Sequence, residues 1–336
     1  MKTSFLFLLM IFLQLTQGFA DEVMKDSLKV EKIWDRAPHN AFPDMIRFKG
    51  DFYVALREGN NHMPDKSGAV RILKSKDGKK WQSVGLLEEA DRDVREGRLS
   101  ITPEGKIMVI TAVGVYDDGY KILYPMVSFS DVNGEDFTPL QRIEMDIEPN
   151  LDWMWRVTWH NKVGYGIVYR NYNAAREVHL LKTTDGINFN HVAQLPIDGG
   201  PNESTIRFDE NGEMYVLVRR EDDDKMGVLA KSDYPYTKWT TKKLTKRLGG
   251  PNFLFLDKNT LLMGTRDYRK EGAKTVIHTT DLDGNIKKTM ELPSGGDTSY
   301  PGMVLYKKKL WFVYYSSHEE KTSVYLTKIP LKELSQ

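Results

Sequence analysis

Glu203 stands near the start of the stretch PNESTIRF, residues 201–208, and the next strand-like run ends on Arg219 and Arg220. A carboxylate can take up a proton. A guanidinium offers a planar fork of donors that fits another carboxylate in two-point contact. Residues of the same kinds recur along the chain at comparable strand ends. Asp44, Arg57, Glu58, His62 and Asp65 come first, then Asp93 and Arg95, then Trp153, Trp155, Arg156, Tyr169 and Arg170. Asn202 precedes Glu203; Asn252, Arg266 and Asp267 follow, and Asp297, Tyr300, Tyr315, Ser317, His318 and Glu319 complete the series. Strand ends are exposed and exposed residues are often charged, so any one of these positions has an ordinary explanation. Arginine recurring at one register, with aromatics beside it, points instead to a ring of groups around a polar, anionic ligand.

Such a ring needs elements that bring distant residues to one place, and the chain repeats itself in a way that supplies them. SKDGKKW (75–81), SDVNGEDF (130–137), TTDGINF (183–189), SDYPYTKW (232–239) and TTDLDGNI (279–286) share one turn signature. Their last positions fall 56, 52, 50 and 47 residues apart. A period near fifty made of short alternating strands predicts propeller blades. The Asp of each turn is expected to bind backbone N–H groups of its own turn, with the aromatic packed between blades. A two-strand hairpin precedes each signature and recurs six times, beginning at AFPDMIRF, RLSITPEG, WRVTWHNK, STIRFDEN, NFLFLDKN and YPGMVLYK. After the sixth hairpin only SVYLTKIPL remains, and LKVEKIWDR (28–36) is the segment that would supply the missing strand and cover the open edge. The reading is all-β: a single six-bladed β-propeller over 24–334, closed by an N-terminal strand. In that fold the start of the first strand and the end of the second strand of every blade share one face, which is where the charged series falls.

The first twenty residues, MKTSFLFLLMIFLQLTQGFA, carry a basic start, an apolar run and Gly18-Phe19-Ala20. They read as a signal peptide with cleavage after Ala20, and predict a secreted or periplasmic protein with no membrane span after cleavage. A formal net charge of +1 gives no footprint for nucleic acid. The absence of cysteine excludes disulfides and thiolate metal sites. The seven histidines show no metal-helix spacing. No metal and no other cofactor is expected, and Glu221-Asp222-Asp223-Asp224 reads as a solvated turn rather than a calcium loop. A monomer is expected.

With its propeller, its Asp turns and its rim, the chain resembles the sialidase superfamily, in a divergent, bacterial secreted branch. The specific part of the resemblance is Glu203 at the start of an inner strand, Arg219 at the end of the next, Arg266 one blade on and Tyr300 on the last blade. It implies an exo-acting glycoside hydrolase with a carbohydrate substrate. Tyr300 would be the nucleophile, in place of the usual carboxylate, and Glu203 would take its proton, since a free phenol has a pKa near 10. Arginines would clamp the substrate carboxylate. The acid/base group would come from the blade 1 loop, with Asp65 as the positional candidate and His62 and Glu58 as rivals. Arg57, Arg156, Arg219, Arg266, Asp44, Arg95, Trp155, Asn202, Asp297 and His318 are the expected substrate contacts. Where the resemblance implies a first arginine, at the start of blade 1, this chain has AFPD, with Phe42 near that place; Arg57 or Arg156 would then substitute. Two other readings stay open: a carbohydrate-binding propeller without catalysis, and a glycosidase that pairs Asp44 or Glu58 with Glu203.

Overall fold

The computed structural model describes residues 28–63, 65–116, 120–170 and 176–335. The segment expected to be a signal peptide, 1–20, lies outside them. Six sheets follow one another along the chain. Blade 1 consists of His39–Phe48, Asp51–Gly59, Ala69–Ser75 and Gln82–Leu87. Blade 2 has Asp93–Val94 and Arg98–Ile101 inside, then Ile107–Tyr116, Tyr120–Phe129 and Gln141–Arg142. Blade 3 runs Asp152–His160, Val163–Arg170, Val178–Thr183 and Asn188–Gln194, with Glu144–Met145 added in parallel at its outer edge. Blade 4 runs Pro201–Phe208, Met214–Arg220, Met226–Ser232 and Thr240–Arg247, and blade 5 Asn252–Asp257, Thr260–Asp267, Lys274–Thr280 and Ile286–Glu291. Blade 6 has Thr298–Tyr306, Lys309–Ser316 and Ser323–Pro330, and its fourth strand is Val30–Trp34 from the other end of the chain. The inner strand of each blade touches that of the next, from blade 1 through blade 6 and back to blade 1. The fold is a six-bladed β-propeller closed by an N-terminal strand.

Local chemistry explains the repeat. Second strands such as FYVALR (52–57), IMVITAV (107–113) and YVLV (215–218) are apolar on both faces because each lies between two neighbouring blades. The turn between third and fourth strands is held by its aspartate: Asp77 Oδ1 accepts from the N–H of Lys79 and Lys80, and Asp185 Oδ1 from those of Ile187 and Asn188. Asp131 and Asp281 hold their turns in the same way. In blade 4, whose turn lacks the glycine, Asp233 acts through its carbonyl, which accepts from Tyr236 N–H. Blade seams are closed by aromatics, for example Phe52 of blade 1 stacked on Trp311 of blade 6 with centroids 3.9 Å apart.

One departure from regular strands recurs in every blade and was not legible in the alternation. Each inner strand carries an extra residue at or near its start, so that the second strand has one residue fewer opposite it. In blade 1, Phe42 and Pro43 oppose Leu56, between the pairs Ala41–Arg57 and Asp44–Ala55. In blade 2, Arg95, Glu96 and Gly97 lie between Val94 and Arg98, opposite two residues. Blades 3, 4 and 6 bulge at Trp155-Arg156, Asn202-Glu203 and Tyr300-Pro301. In blade 5 Gly250-Pro251 lies between a Gly249–Arg266 backbone bond and the Asn252–Gly264 pair. The bulges bring Phe42, Trp155, Glu203 and Tyr300 of four blades together in the channel.

Candidate active site

Five of the six bulges meet at Tyr300, its own included. Its hydroxyl donates to Glu203 Oε1 at 2.5 Å, and Arg219 Nη1 donates to the same hydroxyl at 3.1 Å. Arg219 also pairs with Glu203 Oε2 at 2.8 Å and, through Nε, with Glu221. The N–H of Gly250 donates to Glu203 Oε2 at 2.8 Å, and Asn202 Oδ1 accepts from the N–H of Glu203. Phe42 and Trp155 pack edge-on against the Tyr300 ring at 5.0 and 5.6 Å. Phe42 and Tyr300 occupy matching bulge positions in adjacent blades, each before a proline, and both have left-handed backbones, with φ of 55° and 52°. Such conformations cost about 1–3 kcal/mol each outside glycine and cluster where a side chain must be aimed.

The electrostatics fit the contacts. Burial alone would push the Glu203 carboxyl up. The Arg219 charge, with hydrogen bonds from Arg219, Tyr300 and Gly250, holds it below the usual range instead. Burial and the Glu203 charge push the Tyr300 phenol well up, against the pull of Arg219 and Arg266. The resting pair is a carboxylate facing a protonated phenol, which is the state a base needs before it activates a nucleophile.

Beside Tyr300 lies a second cluster. Asp297 Oδ1 accepts from Tyr315 O–H at 2.6 Å and from Arg266 Nη2 at 3.3 Å. Arg266 Nη2 also donates to Tyr315 Oη. Asp297 Oδ2 faces His62 Nδ1 at 2.6 Å and His39 Nε2 at 3.3 Å. Phe42 joins the two clusters, its ring 4.9 Å from that of His62 and 5.0 Å from that of Tyr315. His39 stands three residues before Phe42 and Asp297 three before Tyr300, the same register of neighbouring inner strands. The ligand-capable atoms of His39, His62 and Asp297 lie within 4.8 Å of one another, close enough to hold a metal ion. The Arg266 guanidinium on the same carboxylate opposes a dication there.

Several sequence-based placements require correction. Glu58 was expected at the mouth; it faces the blade 6 seam, accepting from Trp34 Nε1 at 2.6 Å and pairing with Arg71 at 2.8 Å. Adjacent strand residues point to opposite sides, so Arg57 and Glu58 cannot share a face. Arg57 is fully buried and gives Nε and Nη2 to Asp93 Oδ1 and Nη1 to Asn61 O, so it ties blade 1 to blade 2 instead of meeting a ligand. Asp65 was the positional acid. It accepts from the N–H groups of Asn60, Asn61 and Ser67 and from Ser67 Oγ. Burial opposes ionisation, yet these bonds hold its carboxyl down to about 2, so it pins its loop as a carboxylate and has no proton to give. Asp44 and Arg156 were placed at the rim. They pair with each other at 2.6 Å deeper in the channel and line a cavity of about 440 Å³ that opens at the other end. His318 bonds Ser316 Oγ and packs on Tyr325, outside both clusters.

Arg95 lies at the mouth, where it donates to His62 O at 2.7 Å and to Asp93 Oδ2 at 3.0 Å. Trp155, Asn202, Glu203, Arg219, Arg266, Tyr300, Asp297 and His62 lie together around it. His39, Glu96 and Arg98 also lie here, outside the set of residues expected from the sequence. Arg98 is buried beneath Trp155 and Tyr300, 4.1 and 5.7 Å from their rings, and donates to the carbonyl of Pro43. A guanidinium thus lies behind Phe42 although none occupies that position. The signal that could have found these residues is the pairing of HNAFPDM (39–45) with DTSYPGM (297–303), and of REG at 57–59 with REG at 95–97.

Sialidases are among the solved structures that share this architecture. Trypanosoma rangeli sialidase in complex with 2,3-difluorosialic acid, described as a covalent intermediate, superposes with a TM-score of 0.70 at 11% identity, over 92% of this chain and 57% of that one. The chain is a sialidase-like propeller. The same enzyme in complex with sialic acid gives a TM-score of 0.68 at 10% identity, over 92% of this chain and 59% of that one. Phage phi92 endosialidase gives 0.68 at 9%, over 90% and 69%. This sialidase-like propeller therefore spans little more than half the length of the trypanosomal chains. No protein-family model matches the sequence, and no curated protein matches it. No helix among the described residues is long and apolar enough to cross a membrane.

Proposed function

We propose that the chain is a secreted, exo-acting glycoside hydrolase that removes a terminal sugar bearing a carboxylate or similar polar group, with Tyr300 as nucleophile. The observation that carries this is the 2.5 Å hydrogen bond from Tyr300 of blade 6 to Glu203 of blade 4, shared with Arg219 on the neighbouring strand of blade 4. A phenol buried against a carboxylate and two guanidinia needs no such arrangement for stability, since a phenylalanine there would pack without the cost of burying charge. In the reaction Glu203 takes the phenolic proton as the oxygen attacks the anomeric carbon, and Arg219 and Arg266 hold the substrate anion alongside. The outcome is retention of configuration through a glycosyl–tyrosine intermediate. The trypanosomal enzyme's covalent complex supports this reading by analogy of fold.

The two-carboxylate reading loses both partners of Glu203, because Glu58 faces another seam and Asp44 is bound to Arg156 and to Leu99 N–H. The test is turnover of a panel of aryl glycosides that includes sialosides and uronides. Tyr300→Phe is expected to remove turnover with the melting temperature preserved, because only one oxygen is lost. Turnover at the wild-type rate in that variant would end the proposal.

A further inference from the structure

The proposed reaction needs a group that first protonates the leaving oxygen and then deprotonates water, and neither carboxylate of the blade 1 loop can serve. Asp65 is locked as an ion by its own loop, and Glu58 lies in the blade 6 seam. We infer that His62, oriented by Asp297, is the general acid and base of this site. The inference deepens the tyrosine reading and rests on it.

Five observations support it. His62 Nδ1–H donates to Asp297 Oδ2 at 2.6 Å, which fixes the ring and leaves Nε2 free to exchange a proton. Asp297 cannot drift, because Tyr315 and Arg266 hold its other oxygen and His39 shares the first. The backbone of His62 is held as well, its carbonyl accepting from Arg95 Nη1 at 2.7 Å. The ring is on the solvent side of the site: its side chain is 44% exposed, whereas that of Asp297 is 27% exposed and that of His39 only 9%. Phe42, itself buried, lies between His62 and Tyr300 in edge contact with both rings, so that one side chain sets the spacing of nucleophile and acid. Where the sialidase pattern has an arginine, this chain has the ring that positions its acid.

The steps balance. In the first, the Tyr300 oxygen bonds the anomeric carbon as its proton passes to Glu203, and the bond to the leaving oxygen breaks as His62 Nε2 gives that oxygen its proton. In the second, neutral His62 takes a proton from water, the water oxygen bonds the anomeric carbon, and the tyrosyl bond breaks with return of the proton from Glu203. The charged and titratable groups facing His62 are Asp297, His39, Arg95, and Arg266 through Asp297. The first step consumes the proton on His62 Nε2, so a poor leaving group depends on that proton and a good one does not.

The test uses matched 4-nitrophenyl and methyl α-sialosides, or the same pair of uronides where the panel selects them, with the full chain. His62→Gln is expected to lower kcat/KM on the methyl glycoside by about 10²–10⁴-fold, to change that on the nitrophenyl glycoside by less than about tenfold, and to lose the basic limb of the methyl-glycoside pH profile. Equal loss on both substrates with an unchanged pH profile overturns the inference and leaves the tyrosine reading standing. Tyr300→Phe, by contrast, is expected to remove both activities, and survival of either one overturns the tyrosine reading. Dialysis against EDTA is expected to change nothing. Turnover lost to EDTA and restored by zinc would assign the His39–His62–Asp297 trio to a metal and overturn the acid/base role.

Discussion

Tyr300 is aimed by its neighbours, and the tightest of them is a glycine. Gly250 has φ of +57°, and a Cβ added there would stand 2.4 Å from Tyr300 Cγ and 2.9 Å from its Cα. The same residue gives its N–H to Glu203. Gly250→Ala is therefore expected to cost about 1–3 kcal/mol in backbone strain. It should also push the phenol off the carboxylate, lowering kcat at least tenfold with KM little changed. A variant with wild-type kcat would show that Tyr300 is not held by this contact. The same scale shows what alternation along a strand does to candidate residues. Arg57 and Glu58 are consecutive and both chemically suitable, yet one is buried toward blade 2 and the other toward blade 6.

Blades contribute stability through seams, and blade 5 contains a titrating one. His278 lies in the strand Lys274–Thr280, bonds Thr289 Oγ1 at 2.8 Å and has its Nε2 buried without a hydrogen-bond partner among the described residues. Burial pushes its imidazole down to about 4. A histidine depressed in the folded state binds fewer protons than in the unfolded chain. The stability it permits is full above the unfolded pKa near 6.5 and is lost as pH falls from there toward 4. The loss is on the order of 3 kcal/mol across that window. Urea unfolding at stepped pH should show this slope in the wild type and most of it missing in His278→Gln; equal slopes would refute the assignment. The inner-strand bulges belong to this scale too. They release one or two residues per blade from the ladder, and those residues, not the regular strand positions, form the centre of the site.

The molecule is a ring, and its closure depends on a strand from the far end of the sequence. Val30–Trp34 pairs with Ser323–Pro330, and Trp34 crosses the seam to bond Glu58 of blade 1. Removing residues 1–36 would expose an edge on blade 6 and take the Trp34 donor from Glu58, which would keep only Arg71. The expected result is a melting temperature lower by on the order of 10 °C and concentration-dependent association, seen by calorimetry and light scattering. A truncated chain that melts with the full one would mean that the ring closes without this strand. Tyr300 and Glu203 come from blades 6 and 4, so loosening the ring should also lower turnover.

The sequence by itself determined the repeat: turn chemistry near a fifty-residue period, six hairpins, and a leftover strand at each end, all set by neighbours close along the chain. It also indicated Glu203, Arg219, Arg266 and Tyr300, since strand ends on one face can be counted. The tertiary structure alone decided which way each side chain points. A bulge shifts the facing of the residues it releases without changing the alternating pattern much, so Glu96 and Arg98 could be found only by comparing segments of different blades, not from alternation within one strand. Ion pairing across blades decided the rest. Asp93 captures Arg57, Asp44 captures Arg156, and the loop amides capture Asp65, because a buried charge takes the nearest opposite partner or donor whatever its position in the chain.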